Sequence, residues 1–181
     1  GVLGEKGRGI ASHFHIEGEI DVEMGTFSKA FGVVGGYISG GEDLRTFAFN
    51  KSRTWLLSGS HPPPIAAACI AALEVVENEP QHLQALWKNT DYFKKQLREM
   101  GFDIGGSQTP ITPVIVGEST VAQKISAMLY EEGVFALPIV FPMVARDKAR
   151  IRTIMNAGHT RPDLDAALSS FQKVGRKLKI L

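Results

Sequence analysis

Three consecutive prolines, Pro62-Pro63-Pro64, run directly into an alanine-rich stretch over residues 65–76, and this junction constrains the fold more than any other feature of the chain. Proline lacks an amide donor and has a fixed φ, so it cannot lie inside a helix. The first helical turn has no intrahelical use for those donors, so proline can open one. The run behind it is rich in alanine and leucine-like residues and is a strong helix former. A helix is therefore predicted to begin at the prolines and to be interrupted at Asn78-Glu79-Pro80. Residues 81–100 then place Leu83, Leu86, Trp87, Tyr92, Phe93 and Leu97 close to helical period and stop at Gly101, which predicts a second helix. The domain boundary is set near residue 76, giving domains over residues 1–76 and 77–181.

The segments on either side read as mixed α and β. Upstream, residues 1–9 form a glycine-rich loop and 10–14 a short helix. Residues 20–24 are a strand ending at Gly25, and 36–39 a second strand. Residues 42–50 are a helix with Leu44, Phe47 and Ala48 on one face, and the short apolar run 54–57 reads as a buried strand. Downstream come a strand (114–116), a helix (121–132) closed by Gly133, two strands (134–137 and 150–155) and a last helix. Its start is signalled by Thr160-Arg161-Pro162-Asp163, and its core face by Leu164, Ala167, Leu168 and Phe171. A β-α-β-β-α order predicts a small α+β domain.

Composition excludes several function classes. A formal net charge of +1 gives no strong electrostatic attraction to nucleic acid or anionic membrane. No apolar run is long enough to span a bilayer. The single cysteine, Cys69, lies in the alanine-rich run and reads as a small core residue; one cysteine allows no internal disulfide and suits a reducing cytoplasm. The five histidines show no metal-ligand spacing, so no metal is expected.

Chemistry concentrates in Met24-Gly25-Thr26-Phe27-Ser28-Lys29-Ala30-Phe31-Gly32. One lysine stands behind a glycine, two hydroxyls and a strand end, and before a bend. Lysine amines form imines with aldehydes once their pKa is lowered. Thr26 and Ser28 can donate to a phosphate, and the glycines allow close backbone approach. Spacing alone equally allows a surface lysine in a Gly/Ser turn.

The ordered set Gly1-Val2-Leu3-Gly4, Ile20-Asp21-Val22-Glu23, Gly25-Thr26-Phe27-Ser28-Lys29-Ala30-Phe31-Gly32, Gly35-Gly36-Tyr37, Leu57-Ser58-Gly59-Ser60-His61-Pro62-Pro63, Thr112-Pro113-Val114-Ile115 and Ala149-Arg150-Ile151-Arg152 through Ala157-Gly158-His159-Thr160 resembles the α-oxoamine synthases. These are pyridoxal-phosphate acyltransferases of the aspartate-aminotransferase fold. They include glycine C-acetyltransferase, 8-amino-7-oxononanoate synthase, 5-aminolevulinate synthase and serine palmitoyltransferase. The resemblance runs through essentially all 181 residues. It implies an α/β fold-type-I transferase, with residues 1–76 as the end of the large cofactor domain and 77–181 as the small C-terminal domain. Family members continue further on the N-terminal side, where an Asp-x-Ala-His motif and a ring-stacking aromatic residue serve the cofactor. This chain begins just after that motif and has no initiator methionine, so the expectation is the C-terminal part of a longer enzyme.

The resemblance also implies roles. Lys29 falls on the Schiff-base lysine for pyridoxal 5'-phosphate, and Thr26 on the threonine that contacts the phosphate. Ser28 is a further cofactor-side residue, or mere packing. Ser58 and Gly59 match a segment that reaches the partner subunit's phosphate, which implies an obligate homodimer with a shared site. Other members carry threonine, asparagine or alanine at the Gly59 position, so here the contact falls to a backbone N–H. His61 replaces the usual apolar residue. Arg152 matches the arginine that holds the substrate carboxylate. Its place in an apolar strand suggests a buried charge awaiting a ligand, with a structural ion pair as the other reading. Arg150 is expected to face the opposite way, His159 to be structural, and Lys94, Lys95, Lys173, Lys177 and Lys179 to be ordinary helix-surface lysines. The substrates implied are an amino acid and an acyl-CoA. Glycine with acetyl-CoA comes first, from the wording around Lys29; alanine with pimeloyl-CoA and a serine palmitoyltransferase activity are the alternatives. Two other readings are a fragment that only folds or dimerises, and a phosphate-binding module without imine chemistry.

Overall fold

The computed structural model describes residues 1–181. The chain divides into two compact units, Gly1–Leu83 and Gln84–Leu181.

The first unit opens with a 3-10 turn (Glu5–Gly7) and helix α1 (Ile10–Phe14). Strands β1 (Val22–Thr26) and β2 (Gly36–Gly40) form an antiparallel hairpin whose register runs from Val22↔Gly40 to Thr26↔Gly36. That register leaves residues 27–35 as its loop. Helices α2 (Glu42–Lys51), α3 (Arg53–Leu56) and α4 (Pro63–Asn78) follow. Helix α4 starts as its prolines require: Pro62 is the cap with φ −59°, and the next prolines occupy the first turn. Its stripe Ile65, Cys69, Ala72 and Val76 is half-buried, and the helix packs on the 3-10 turn. No residue of α4 is buried, and Cys69 is half-buried rather than in a core.

The expected buried strand over residues 54–57 is instead helix α3, and it is exposed. Trp55 and Leu56 amides bond back to Ser52 O at 3.1 and 2.9 Å, and Leu57 is 84% exposed. A short apolar run carries no period that separates helix from strand. Here local bonds to Ser52 satisfy the backbone, and Trp55 rests edge-on against Phe49 with centroids 4.9 Å apart.

The second unit has a closed core. Helix α5 (Pro80–Met100) buries Leu86, Thr90, Phe93, Lys94 and Leu97, one stripe at helical spacing. Strands β3 (Ile111–Gly117), β4 (Leu137–Ile139) and β5 (Ala149–Ile154) make a three-stranded antiparallel sheet in the order β3-β5-β4. Helix α6 (Ser119–Glu131) packs on all three strands and on α7 (Arg161–Lys177). Phe171 meets Phe93 and Phe102 edge-to-face at 6.1 and 6.0 Å. Ile151, Leu129 and Val114 are at most 1% exposed. Each such side chain contributes roughly 1.5–3 kcal/mol of burial. Thr160 caps α7 in a reciprocal box: Asp163 N donates to Thr160 Oγ1 (3.4 Å) and Thr160 N to Asp163 Oδ2 (2.8 Å). The bonds from the Thr160 hydroxyl and amide hold the Asp163 carboxyl below its ordinary value of 3.8.

Two further expectations shift. The strand expected over residues 134–137 begins at Leu137, because Gly133 turns at φ +83° and Val134 N closes helix α6 on Leu129 O at 2.8 Å. Val134 is therefore committed to the helix end before any strand can pair. Lys94 is 6% exposed rather than on the helix surface. Its Nζ donates to Ser107 O (2.8 Å) and Thr109 O (2.6 Å), and burial, then the Arg98 charge, lower its pKa against a smaller opposing effect of Asp91. Those two carbonyls replace the water a buried ammonium would lose.

Candidate active site

The β1–β2 hairpin builds its tip around Lys29. Two bonds close the loop base: Phe27 N donates to Gly35 O and Val33 N to Phe27 O, each 2.9 Å. Above them Gly32 N donates to Lys29 O at 3.1 Å, with Gly32 at φ +64°. The resulting turn carries Ser28 and Lys29 outward. Both are exposed, and the Lys29 amine makes no ion pair or hydrogen bond within the chain. The Thr26 and Ser28 hydroxyls are likewise uncommitted.

Phe27 anchors that tip from below. Its ring stacks on Tyr37 at 5.6 Å and meets Phe31 and His61 edge-on at 5.9 and 6.2 Å. Gly25 lies opposite Tyr37 in the register, and a Cβ there would fall 2.4 Å from the Tyr37 ring. Only glycine admits the ring across the pair. A cavity of about 920 Å³ beside the hairpin is lined by Thr26, Gly36, Tyr37, Ser58, Ser60 and His61, among others. Ser60 N donates to Ser58 Oγ at 3.1 Å, and Ser60 has φ +59°, so this segment bends sharply. Nothing stands within 4 Å of a Cβ added at Gly59. The fold thus gathers Thr26 with Ser58 and Ser60, while Ser28, Lys29 and Gly59 lie outside that lining. Tyr37 and Ser60 were not singled out as site residues from sequence. A glycine facing an aromatic across a tight hairpin was the available signal for Tyr37.

Arg152 is in the second unit, on β5, between Pro113 and Leu137. It is exposed, not buried as its apolar neighbours suggested. Ile151, Thr153 and Met155 turn inward, so Arg150, Arg152 and Ile154 share the other face. Residues two apart on a strand point the same way; the expectation that Arg150 would oppose Arg152 is therefore corrected. Arg150 Nε is held by Lys148 O at 3.0 Å, whereas Arg152 makes no ion pair. Arg152 borders a cavity of about 550 Å³ with Phe135, Leu137, His159, Asp163 and Ala167. His159 shapes a turn: Asn156 N donates to its Nδ1 at 3.4 Å, and Asn89 Nδ2 donates to its carbonyl at 2.9 Å.

An exposed amine on a rigid loop, beside free hydroxyls, is equipped to capture an aldehyde and an anion. Residues 1–171 match the family described as aminotransferase class I and II. The chain belongs to that family. Its relatives narrow the group. It is 54% identical over 181 residues to 8-amino-7-oxononanoate synthase of Symbiobacterium thermophilum, covering 100% of this chain and 46% of that protein. It is 50% identical over 182 residues to a Thermus thermophilus protein named 8-amino-7-oxononanoate synthase/2-amino-3-ketobutyrate coenzyme A ligase, with the same coverage. A solved structure of SPT, described with its PLP internal aldimine, matches with a TM-score of 0.92 at 25% identity, over 99% of this chain and 46% of that one. These relatives make the chain an α-oxoamine synthase-type member of a pyridoxal-phosphate-dependent family with the fold-type-I architecture. The chain spans about half the length of the curated relatives it matches (46%). No helix is long and apolar enough to cross a membrane.

Proposed function

We propose that this chain is the lysine-bearing part of a pyridoxal-phosphate-dependent α-oxoamine synthase, which joins an amino acid to an acyl-CoA and releases CoA. The observation that carries the reading is Lys29 itself: an exposed, unpaired amine at the tip of a hairpin closed by two backbone bonds. The donor set suits the cofactor. Lys29 Nζ is the covalent anchor for its aldehyde carbon, and Thr26, Ser28, Ser58 and the Gly59 N–H are donors for its phosphate. When bound, pyridoxal phosphate supplies the electron sink for bond breaking at the amino acid's Cα. Lys29 Nζ would be the group that moves the proton at that Cα. Arg152, with no carboxylate of its own, is the fork for the substrate carboxylate. We further assign residues 1–76 to the large cofactor domain and 77–181 to the small one. Ser58 and Gly59 serve the site across a homodimer of a cytoplasmic enzyme.

The substrate pair we favour is alanine with pimeloyl-CoA rather than glycine with acetyl-CoA, the first expectation from sequence. The support is the name 8-amino-7-oxononanoate synthase on relatives at 46–54% identity. The double name of the Thermus thermophilus relative keeps glycine with acetyl-CoA as the second reading. The test is to add pyridoxal phosphate, reduce with borohydride and map the modified peptide. Labelling at Lys29 that disappears in Lys29→Ala supports the reading, and labelling spread over surface lysines defeats it. CoA release by the full-length protein with each substrate pair then decides between them.

A further inference from the structure

The fold puts His61 against the base of the loop that carries Lys29. The loop carrying Lys29 is closed at its base by Phe27, whose N–H donates to Gly35 O and whose carbonyl accepts from Val33 N, each at 2.9 Å. His61 lies on both Phe27 and Gly35. Its ring meets the Phe27 ring edge-on at 6.2 Å. Its Nε2 occupies the space beside Gly35: a Cβ built there would sit 2.0 Å from that nitrogen. Gly35 has φ +110°, so glycine is demanded both by conformation and by the ring seated against it. Phe27 is also stacked on Tyr37. Two rings thus contact Phe27 at the loop's base, one from β2 and one from the segment that leads into α4. His61 itself is fixed from behind, since Pro62 caps α4 with a restricted φ of −59°.

We propose that His61 is a positioning residue for Lys29: its imidazole clamps the Phe27–Gly35 closure and so sets the direction in which the lysine amine leaves the loop. The proposal rests on Lys29 being the cofactor lysine. The imidazole does not touch the reacting atoms. It acts through Phe27, whose backbone is only two residues from the amine-bearing one. An aromatic edge contact also restrains the ring's rotation, which a flexible aliphatic side chain does less well.

The test uses the full-length protein with His61→Ala and His61→Phe. Phe keeps an aromatic edge on Phe27; Ala removes it. Hydrogen exchange of the Phe27 and Val33 amides reads the closure directly, whether or not cofactor is bound. His61→Ala is expected to speed their exchange about three- to tenfold, the range of one lost edge contact, with His61→Phe close to wild type. Pyridoxyl labelling of Lys29 after borohydride reduction should fall in His61→Ala and recover in His61→Phe. In turnover, kcat should fall in His61→Ala with the KM for amino acid unchanged. Unchanged exchange in His61→Ala, or exchange in His61→Phe as fast as in His61→Ala, overturns the clamp. Wild-type labelling that misses Lys29 would instead sink the functional reading while leaving the exchange result to stand by itself.

Discussion

The two halves of this chain bury their side chains very differently. In the unit Gln84–Leu181, Phe93, Leu97, Leu129, Ile151, Phe171 and Val174 are all at most 2% exposed. In Gly1–Leu83 the only buried apolar side chain is Ala11, while Met24, Phe47, Trp55, Leu57 and Ile70 are each more than half exposed. Yet the unit without a core carries Lys29, Thr26, Ser58 and His61. The second unit is held by its own packing; the first carries the residues proposed for the site on a largely exposed surface.

The sharpest way to break this contrast is hydrogen exchange on the chain as it stands. Amides of β5 and α7 should be protected by at least about a hundredfold over those of β1, β2 and α4, because only the former open by global unfolding of a packed core. Equal protection would show that the first unit has stability its exposed surface does not explain. Next in size, this chain alone should release negligible CoA from alanine with pimeloyl-CoA, or glycine with acetyl-CoA, even with pyridoxal phosphate present; sustained turnover would make the first unit self-sufficient. Third, Phe171→Ala should cost about 3–5 kcal/mol in denaturant unfolding of the second unit, whereas Leu57→Ala should move it by less than about 0.5 kcal/mol. The smallest effect belongs to the α7 cap. Thr160→Ala should cost about 1 kcal/mol. Because the Asp163 pKa is lowered in the folded state, its contribution is present above its unfolded value of 3.8 and is lost as pH falls through the folded value. In an acid titration of stability, the gap between wild type and Thr160→Ala should therefore narrow at low pH, leaving the part due to the Asp163 N–H bond to Thr160 Oγ1.

Much of this was legible in the chain. Helices α4 and α5 were placed by prolines and period, because a missing donor is a property of the residue itself. The start of α7 was legible from Thr160 through Asp163, and the structure settles the cap on Thr160. Lys29 was singled out through its glycine and hydroxyl setting together with the ordered resemblance, and the structure exposes it at the hairpin tip. The misses share a physical cause. Residues 54–57 are too few to show a period, so only the availability of neighbours decides their state. Lys94 looked solvated until the carbonyls of Ser107 and Thr109 came to it from beyond the helix.

By itself, then, the sequence determined what is local: where helices start and stop, and which lysine sits in a glycine-bounded turn. Only the tertiary structure decided that Arg150 and Arg152 share an open face, that Thr26, Ser58 and Ser60 line one cavity, and that His61 lies against Phe27 and Gly35 at the base of the Lys29 loop. Local preferences reside in each residue's donors, φ range and side-chain volume. Contacts between residues tens of positions apart exist only once the chain has closed those distances, and one sequence carries no mark of them.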